Sequence, residues 1–156
     1  MARNRQLFLK SLTTAQYVGQ IVDAQLARIG LPGYLLALLT HVRDHEPVAP
    51  TEISRVSGAP LTTLRDNIQR LVDRRLVERE PNPNDGRSYL VRLTPQGHAV
   101  VRAAGPALLE GYLALERHLS RDLEDYEAVL DELTAALESA LDDVLAGDAV
   151  TAGRSG

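Results

Sequence analysis

Apolar or small residues recur at Phe8, Leu12, Ala15, Gly19, Val22, Leu26 and Ile29, in steps of four and three. That spacing keeps one side of a helix apolar and predicts a long amphipathic helix over 7–29. The breaker GLPG (30–33) ends it. YLLALLTHVRD (34–44) follows, apolar on most sides and therefore expected to be a buried helix. Beyond residue 48 the pattern shortens. Pro50 suits the first position of a short helix, where its missing N–H costs nothing, and Glu52 adds an acid to the first turn. Gly58 supplies a turn and Pro60 opens a second helix, in which Leu61, Leu64, Ile68 and Leu71 fall on one side. Two short helices across a tight glycine turn predict a helix-turn-helix. LVERE and SYLVRL then read as strands, with PNPND and Gly86 as the turn between them. Thr94 is a good N-cap for a further helix with Pro95 at its first position. Leu119, Leu123, Tyr126, Leu130, Leu133, Leu137, Ala140 and Val144 form a heptad-like seam in a C-terminal helix, the spacing of a helix that packs on another helix. The last stretch, 148–156, is expected to fray.

The order of elements predicts a mainly α fold with a small β wing. A winged helix-turn-helix lobe over about 48–97 lies between helical arms at about 1–30 and 103–147, the whole forming one domain over 1–147. A length of 156 residues suits one domain with a real core, and 44% apolar residues argue against disorder. No apolar run approaches the roughly 18 residues of a membrane span, and no long apolar segment of a secretory leader follows the N-terminal basic residues, so a soluble cytoplasmic protein is expected. The chain has no cysteine, which excludes disulfides, thiolate metal sites and thiol-based redox sensing.

Charge changes the picture more. The net charge of -4 conceals a segregation: residues 48–102 hold nine arginines against six acids, and residues 103–150 hold two arginines against twelve acids. The basic middle is therefore the part suited to a polyanion, acting at close range. On the second helix of the helix-turn-helix, the side away from the leucines carries Thr62, Asp66, Gln69 and Asp73, flanked by Thr63 and Arg70, with Arg65 beside Asp66 and pointing more sideways. Such a side is an ordinary solvated surface on an isolated helix, but in this position of a helix-turn-helix it faces the DNA groove. The candidate DNA-contacting residues are Thr62, Thr63, Arg65, Asp66, Gln69 and Arg70, with Arg87 and Ser88 at the wing. Arg87 is suited to a narrow minor groove; its bland alternative is an ion pair with Asp85 that shapes the loop. His41 and His45 stand four apart, a metal-ligand spacing, but without a cysteine and beside a helix end they read as ordinary helix-end histidines, and no metal or other cofactor is expected. No nucleophile elbow, phosphate loop or zinc-protease motif is present, so no enzymatic activity is expected.

At VEREPNPNDGRSYLVRLTPQG (77–97) the chain resembles the MarR family of bacterial transcription regulators. The family pattern is a strand ending in arginine, then Asp-x-Arg, a second strand and Leu-Thr-x-x-Gly. It is met by Arg79, Asp85, Arg87, Leu93, Thr94 and Gly97, with Arg79 and Asp85 as structural residues of the wing. The resemblance implies an obligate homodimer joined through its first and last helices. It also implies recognition helices in successive major grooves of a pseudo-palindromic double-stranded operator, with wings in the flanking minor grooves. The function implied is transcriptional control, usually repression relieved by a small phenolic or aromatic effector. Tyr17, Tyr34, His41, Arg43 and Tyr112 are the candidates for an effector pocket, in which aromatic walls would hold a ring and a cation a carboxylate. Two positions depart from the family: Asp66 stands where arginine is common, and Arg75 where glycine is common. A carboxylate at 66 repels phosphate but can accept from a cytosine amine. The competing reading is a winged helix kept only as a protein-interaction or dimerisation module. Salt dependence separates the two, because phosphate contacts make binding fall steeply with salt.

Overall fold

The computed structural model describes the backbone of residues 2–152 and the side chains of 6–146. Among them lie six helices and one two-stranded sheet: α1 (Ala2–Leu26), α2 (Gly33–His45), α3 (Pro50–Ser57), α4 (Leu61–Asp73), β1 (Val77–Pro81), β2 (Tyr89–Leu93), α5 (Pro95–Glu116) and α6 (Leu123–Ala152). The expected order is met, with shifted ends. α1 stops at Leu26, three residues before the predicted end, and 27–30 form a turn. α6 continues to Ala152, into the stretch expected to fray, and 153–156 lie outside the described residues.

One hydrophobic core runs from the end of α1 through α2, the helix-turn-helix and the sheet to the first half of α5. Leu26, Leu39, Val42, Ile53, Ile68, Leu71 and Val91 are its most completely covered side chains. The leucine side predicted for α4 enters it: Leu64, Ile68 and Leu71 are buried. The turn between α3 and α4 depends on Gly58, whose φ of 66° is the left-handed conformation that glycine adopts without a Cβ penalty.

The wing is a simple antiparallel ladder, Val77 opposite Leu93 through Pro81 opposite Tyr89. Its base is held from several sides. Val48 and Val91 exchange backbone hydrogen bonds of 3.0 and 2.9 Å. The Leu93 N–H donates to the Glu46 carboxylate, whose other oxygen lies 2.9 Å from His98 Nε2 at the start of α5. Thr94 caps α5 as its sequence suggests, accepting the Gly97 N–H at 3.0 Å while its hydroxyl donates to the Arg75 carbonyl. Gly97 is required here, since a Cβ would stand 2.0 Å from the Leu76 carbonyl oxygen.

The contacts divide the chain between Ala114 and Leu115, where the sequence suggests a single domain over 1–147. Within the second unit, residues 117–122 separate α5 from α6, so Leu119 precedes α6 instead of opening its seam. Along α6 itself Leu123, Leu130, Leu137, Leu141, Val144 and Leu145 are exposed. In the first unit, α1 likewise exposes Leu7, Phe8, Leu9, Leu12, Val18 and Ile21.

Candidate nucleic-acid interface

α4 presents Thr62, Thr63, Arg65, Asp66, Gln69 and Arg70 to solvent, all six exposed, while its other side is locked into the core. The helix ends in two backbone bonds, Leu76 N–H to Leu71 carbonyl at 2.9 Å and Arg75 N–H to Val72 carbonyl at 2.8 Å, with Arg75 at φ 58°. This Schellman arrangement answers the free carbonyls of the last turn and turns the chain into β1.

Two exposed residues of α4 are tied down. Arg79 of β1 donates to Gln69 Oε1 at 2.9 Å and its guanidinium lies 4.7 Å from the centre of the Tyr89 ring, while Gln69 Nε2 donates to Asp73 at 2.7 Å. With its carbonyl and its amide both engaged, Gln69 joins α4 to the wing, and one of its amide N–H groups stays free. Arg70 donates through Nη1 to the Tyr34 hydroxyl of α2 at 2.9 Å. A guanidinium has five N–H donors, so others stay free for DNA.

At the wing tip, Asp85 accepts the Arg87 backbone N–H at 3.0 Å, and Asn82 accepts the Asn84 N–H at 2.9 Å and donates to Ser88 Oγ at 2.8 Å. Asp85 thus shapes the loop through the backbone, and among the described residues it forms no ion pair with Arg87. The Arg87 side chain is exposed, whereas Ser88 is half-buried and helps to close the turn. Arg65 and Asp66 stand side by side, neither in an ion pair among the described residues.

A cavity of about 840 Å³ lies among α1, α2 and α5, all within the first unit. Of the five residues expected to form a pocket, Tyr34, His41 and Tyr112 line it, and Tyr17 and Arg43 do not. Its α1 wall is the stripe Ala15, Val18, Gly19 and Val22; Tyr17 lies off that stripe, beside a smaller groove with Leu9 and Thr13. Arg43 is exposed and pairs with Asp44 at 2.8 Å, holding the Asp44 carboxyl below its usual range. The acids of the cavity, Asp23 and Asp44, were not expected there. Asp23 accepts the Gly33 N–H at 2.7 Å. The signal in the sequence is that Asp23 is the sole acid of α1, next to the apolar Val22. His41 and His45 stack with ring centres 4.5 Å apart, and His41 Nε2 is buried without a hydrogen-bond partner among the described residues. Burial, and secondarily His45, lower the His41 pKa against the opposing pull of Asp44 and Glu52.

A family model for the MarR family matches residues 30–88, from the turn after α1 through most of the wing. Over 93 residues the chain is 33% identical to the HTH-type transcriptional repressor NicR of Pseudomonas putida, covering 60% of this chain and 56% of that protein. It is 32% identical over 81 residues to the multiple antibiotic resistance protein MarR of Escherichia coli, covering 52% and 56%. The chain thus spans about half the length of the curated relatives it matches. The solved structure of a mutant Escherichia coli MarR complexed with operator DNA superposes with a TM-score of 0.72 at 26% identity, over 86% of this chain and 96% of that one. Residues 30–88 of the chain belong to the MarR family. Its MarR-type lobe now explains one of the two departures. The position that is often glycine is the left-handed residue ending α4, which this chain fills with Arg75 at some conformational cost. The other departure, Asp66, sits exposed in the middle of the polar side of α4.

Proposed function

We propose that the chain is a homodimeric, sequence-specific transcription repressor that a small aromatic effector releases from DNA. The observation that carries the reading is the exposed polar side of α4 beside a wing whose Arg87 is held out by Asp85 and has no ion pair among the described residues. Thr62, Thr63, Arg65, Asp66 and Arg70 contact the major groove, Arg87 enters the minor groove, and Gln69 fixes the wing to the helix that reads. The exposed seam of α6 supports a second copy as partner, because a helix with large apolar residues left in water gains by packing on another. A cytoplasmic location fits this role, and no helix among the described residues is long and apolar enough to cross a membrane.

The mechanism is geometric. Two recognition helices enter successive major grooves only when about one DNA turn, ~34 Å, apart. An effector that binds better to a dimer of another spacing shifts the population away from DNA. A differential affinity of about 1–3 kcal/mol gives a 5–150-fold change in operator binding.

The test is selection from a random duplex pool, followed by anisotropy titrations of the selected site at rising salt. The expected result is a pseudo-palindrome whose binding weakens steeply with salt, with sequence preference lost in Arg70→Ala. An empty selection with no salt-dependent binding would overturn the reading in favour of an interaction module.

A further inference from the structure

The middle of the exposed side of α4 is a carboxylate without a partner. At about 100° per residue, Asp66 points within ~40° of directly opposite Leu64, Ile68 and Leu71, the side chains that the helix buries. Thr62, Gln69 and Asp73 fall to one side of it and Thr63 and Arg70 to the other, all within ~60°. Asp66 is thus the midline of that side, and it is exposed. The other acid there, Asp73, is engaged, accepting from Gln69 Nε2 at 2.7 Å. Asp66 forms no ion pair among the described residues. Arg70 stands four positions on, where an acid and an arginine can meet on a helix, but it turns to α2 and donates to the Tyr34 hydroxyl at 2.9 Å.

A carboxylate at the margin of a reading helix would face the phosphates along the groove wall and be repelled. At the midline it faces the floor, where the base edges lie. An ionised carboxylate only accepts hydrogen bonds. The donors on the floor of the major groove are the N4 amine of cytosine and the N6 amine of adenine. Adenine sets its N7 acceptor beside the amine, against the second carboxylate oxygen, whereas cytosine has only a C–H there. Guanine and thymine offer acceptors alone and are rejected.

We propose that Asp66 is a specificity-determining residue, whose carboxylate accepts from a cytosine N4 amine and so fixes one C·G pair in each half of the DNA site. The inference rests on the repressor reading of α4 and adds the base that its central residue demands. An arginine at this position, common in the family, pairs best with guanine. The carboxylate inverts that demand.

The test repeats the duplex selection with full-length wild type, Asp66→Asn and Asp66→Ala. The wild type is expected to fix one cytosine in each half-site. Asparagine carries a donor and an acceptor that match adenine N7 and N6, so Asp66→Asn should replace this cytosine by adenine. Asp66→Ala should leave the position open. In anisotropy titrations, changing the C·G pair to T·A in both half-sites should weaken wild-type binding at least about fivefold and Asp66→Ala binding less than about twofold. Unchanged circular dichroism melts check that the variants fold. If both variants bind every duplex more tightly with the same base preferences, the carboxylate faces phosphates and the proposal is overturned. A wild-type site with no cytosine fixed in its half-sites overturns it too. A wild type that selects no duplex at all sinks the repressor reading and this inference with it, whereas a selected site that neither substitution alters sinks the inference alone.

Discussion

Ile68 of α4 and Leu130 of α6 occupy equivalent places in the same pattern, one in a run of apolar residues three and four apart on an otherwise polar helix. Ile68 has 0% of its surface exposed and Leu130 has 55%. The difference is not in the helices but in what each is folded against. α4 comes between α3 and a hairpin, close along the chain, and its apolar side is covered within the lobe. α6 follows a short linker at the end of the chain, and its seam remains in water. Periodicity therefore identifies the apolar side of a helix without telling whether the covering surface belongs to the same chain. In the winged lobe the apolar sides are covered within the lobe; in the C-terminal unit the apolar seam is left exposed.

The largest effect expected from this contrast comes from charging the seam. Leu130→Asp with Leu137→Asp should weaken dimerisation at least about 100-fold, equivalent to about 3 kcal/mol, measured by sedimentation equilibrium. The melting of the winged lobe should change little. Unchanged association would mean that α6 is not the covering surface. In the lobe, Gly97→Ala should act the other way, leaving the seam intact but forcing a methyl into the Leu76 carbonyl. A loss of about 3 kcal/mol in urea unfolding is expected, at the upper end of ordinary overpacking costs. A variant as stable as wild type would show that α5 and the end of α4 can separate cheaply.

Smaller effects sharpen the account of the reading lobe. Arg87→Ala should weaken binding to the selected DNA about tenfold, ~1.4 kcal/mol, without altering stability, because the loop is shaped by Asp85 through the backbone. Arg75→Gly relieves a left-handed non-glycine residue and should stabilise the lobe by up to about 1 kcal/mol in the same urea assay. The smallest expected effect is that of His41. Its pKa in the folded chain is below the ordinary value of about 6.5, so on acidification the unfolded chain takes up this proton first. The associated stability is present above pH ~6.5 and is lost as the pH falls through the folded value. The melting temperature of the wild type should drop more between pH 7.5 and 5.5 than that of His41→Gln.

Much of the lobe is legible in the sequence because its signals are local. Gly58, Pro60, Thr94 and Pro95 mark boundaries through their own backbone chemistry, and the four leucine and isoleucine positions of α4 name the buried side. Exposed polar positions such as Arg87, Arg65 and Thr62 are legible in the pattern as well. Where a role depends on a partner from another element, the pattern is silent. Gln69 looks like any polar residue of α4, and its bond to Arg79 is set by how β1 returns beside the helix. Tyr17 and Arg43 are plausible pocket residues by type. The rotation of α1 and α2 about their axes turns Ala15, Val18 and Gly19 and then Thr40, His41 and Asp44 to the cavity instead. The link between Tyr34 and Arg70 spans 36 positions and leaves no trace in spacing.

The central claim is that two copies of this lobe, held by helices such as α6, read one DNA site from one side. Hydroxyl-radical footprinting of the selected duplex tests it most directly. The account predicts two protected segments centred about one helical turn, 10–10.5 bp, apart, with outer minor-groove protections that disappear in Arg87→Ala. A single protected segment, or outer protections that persist in that variant, would contradict it.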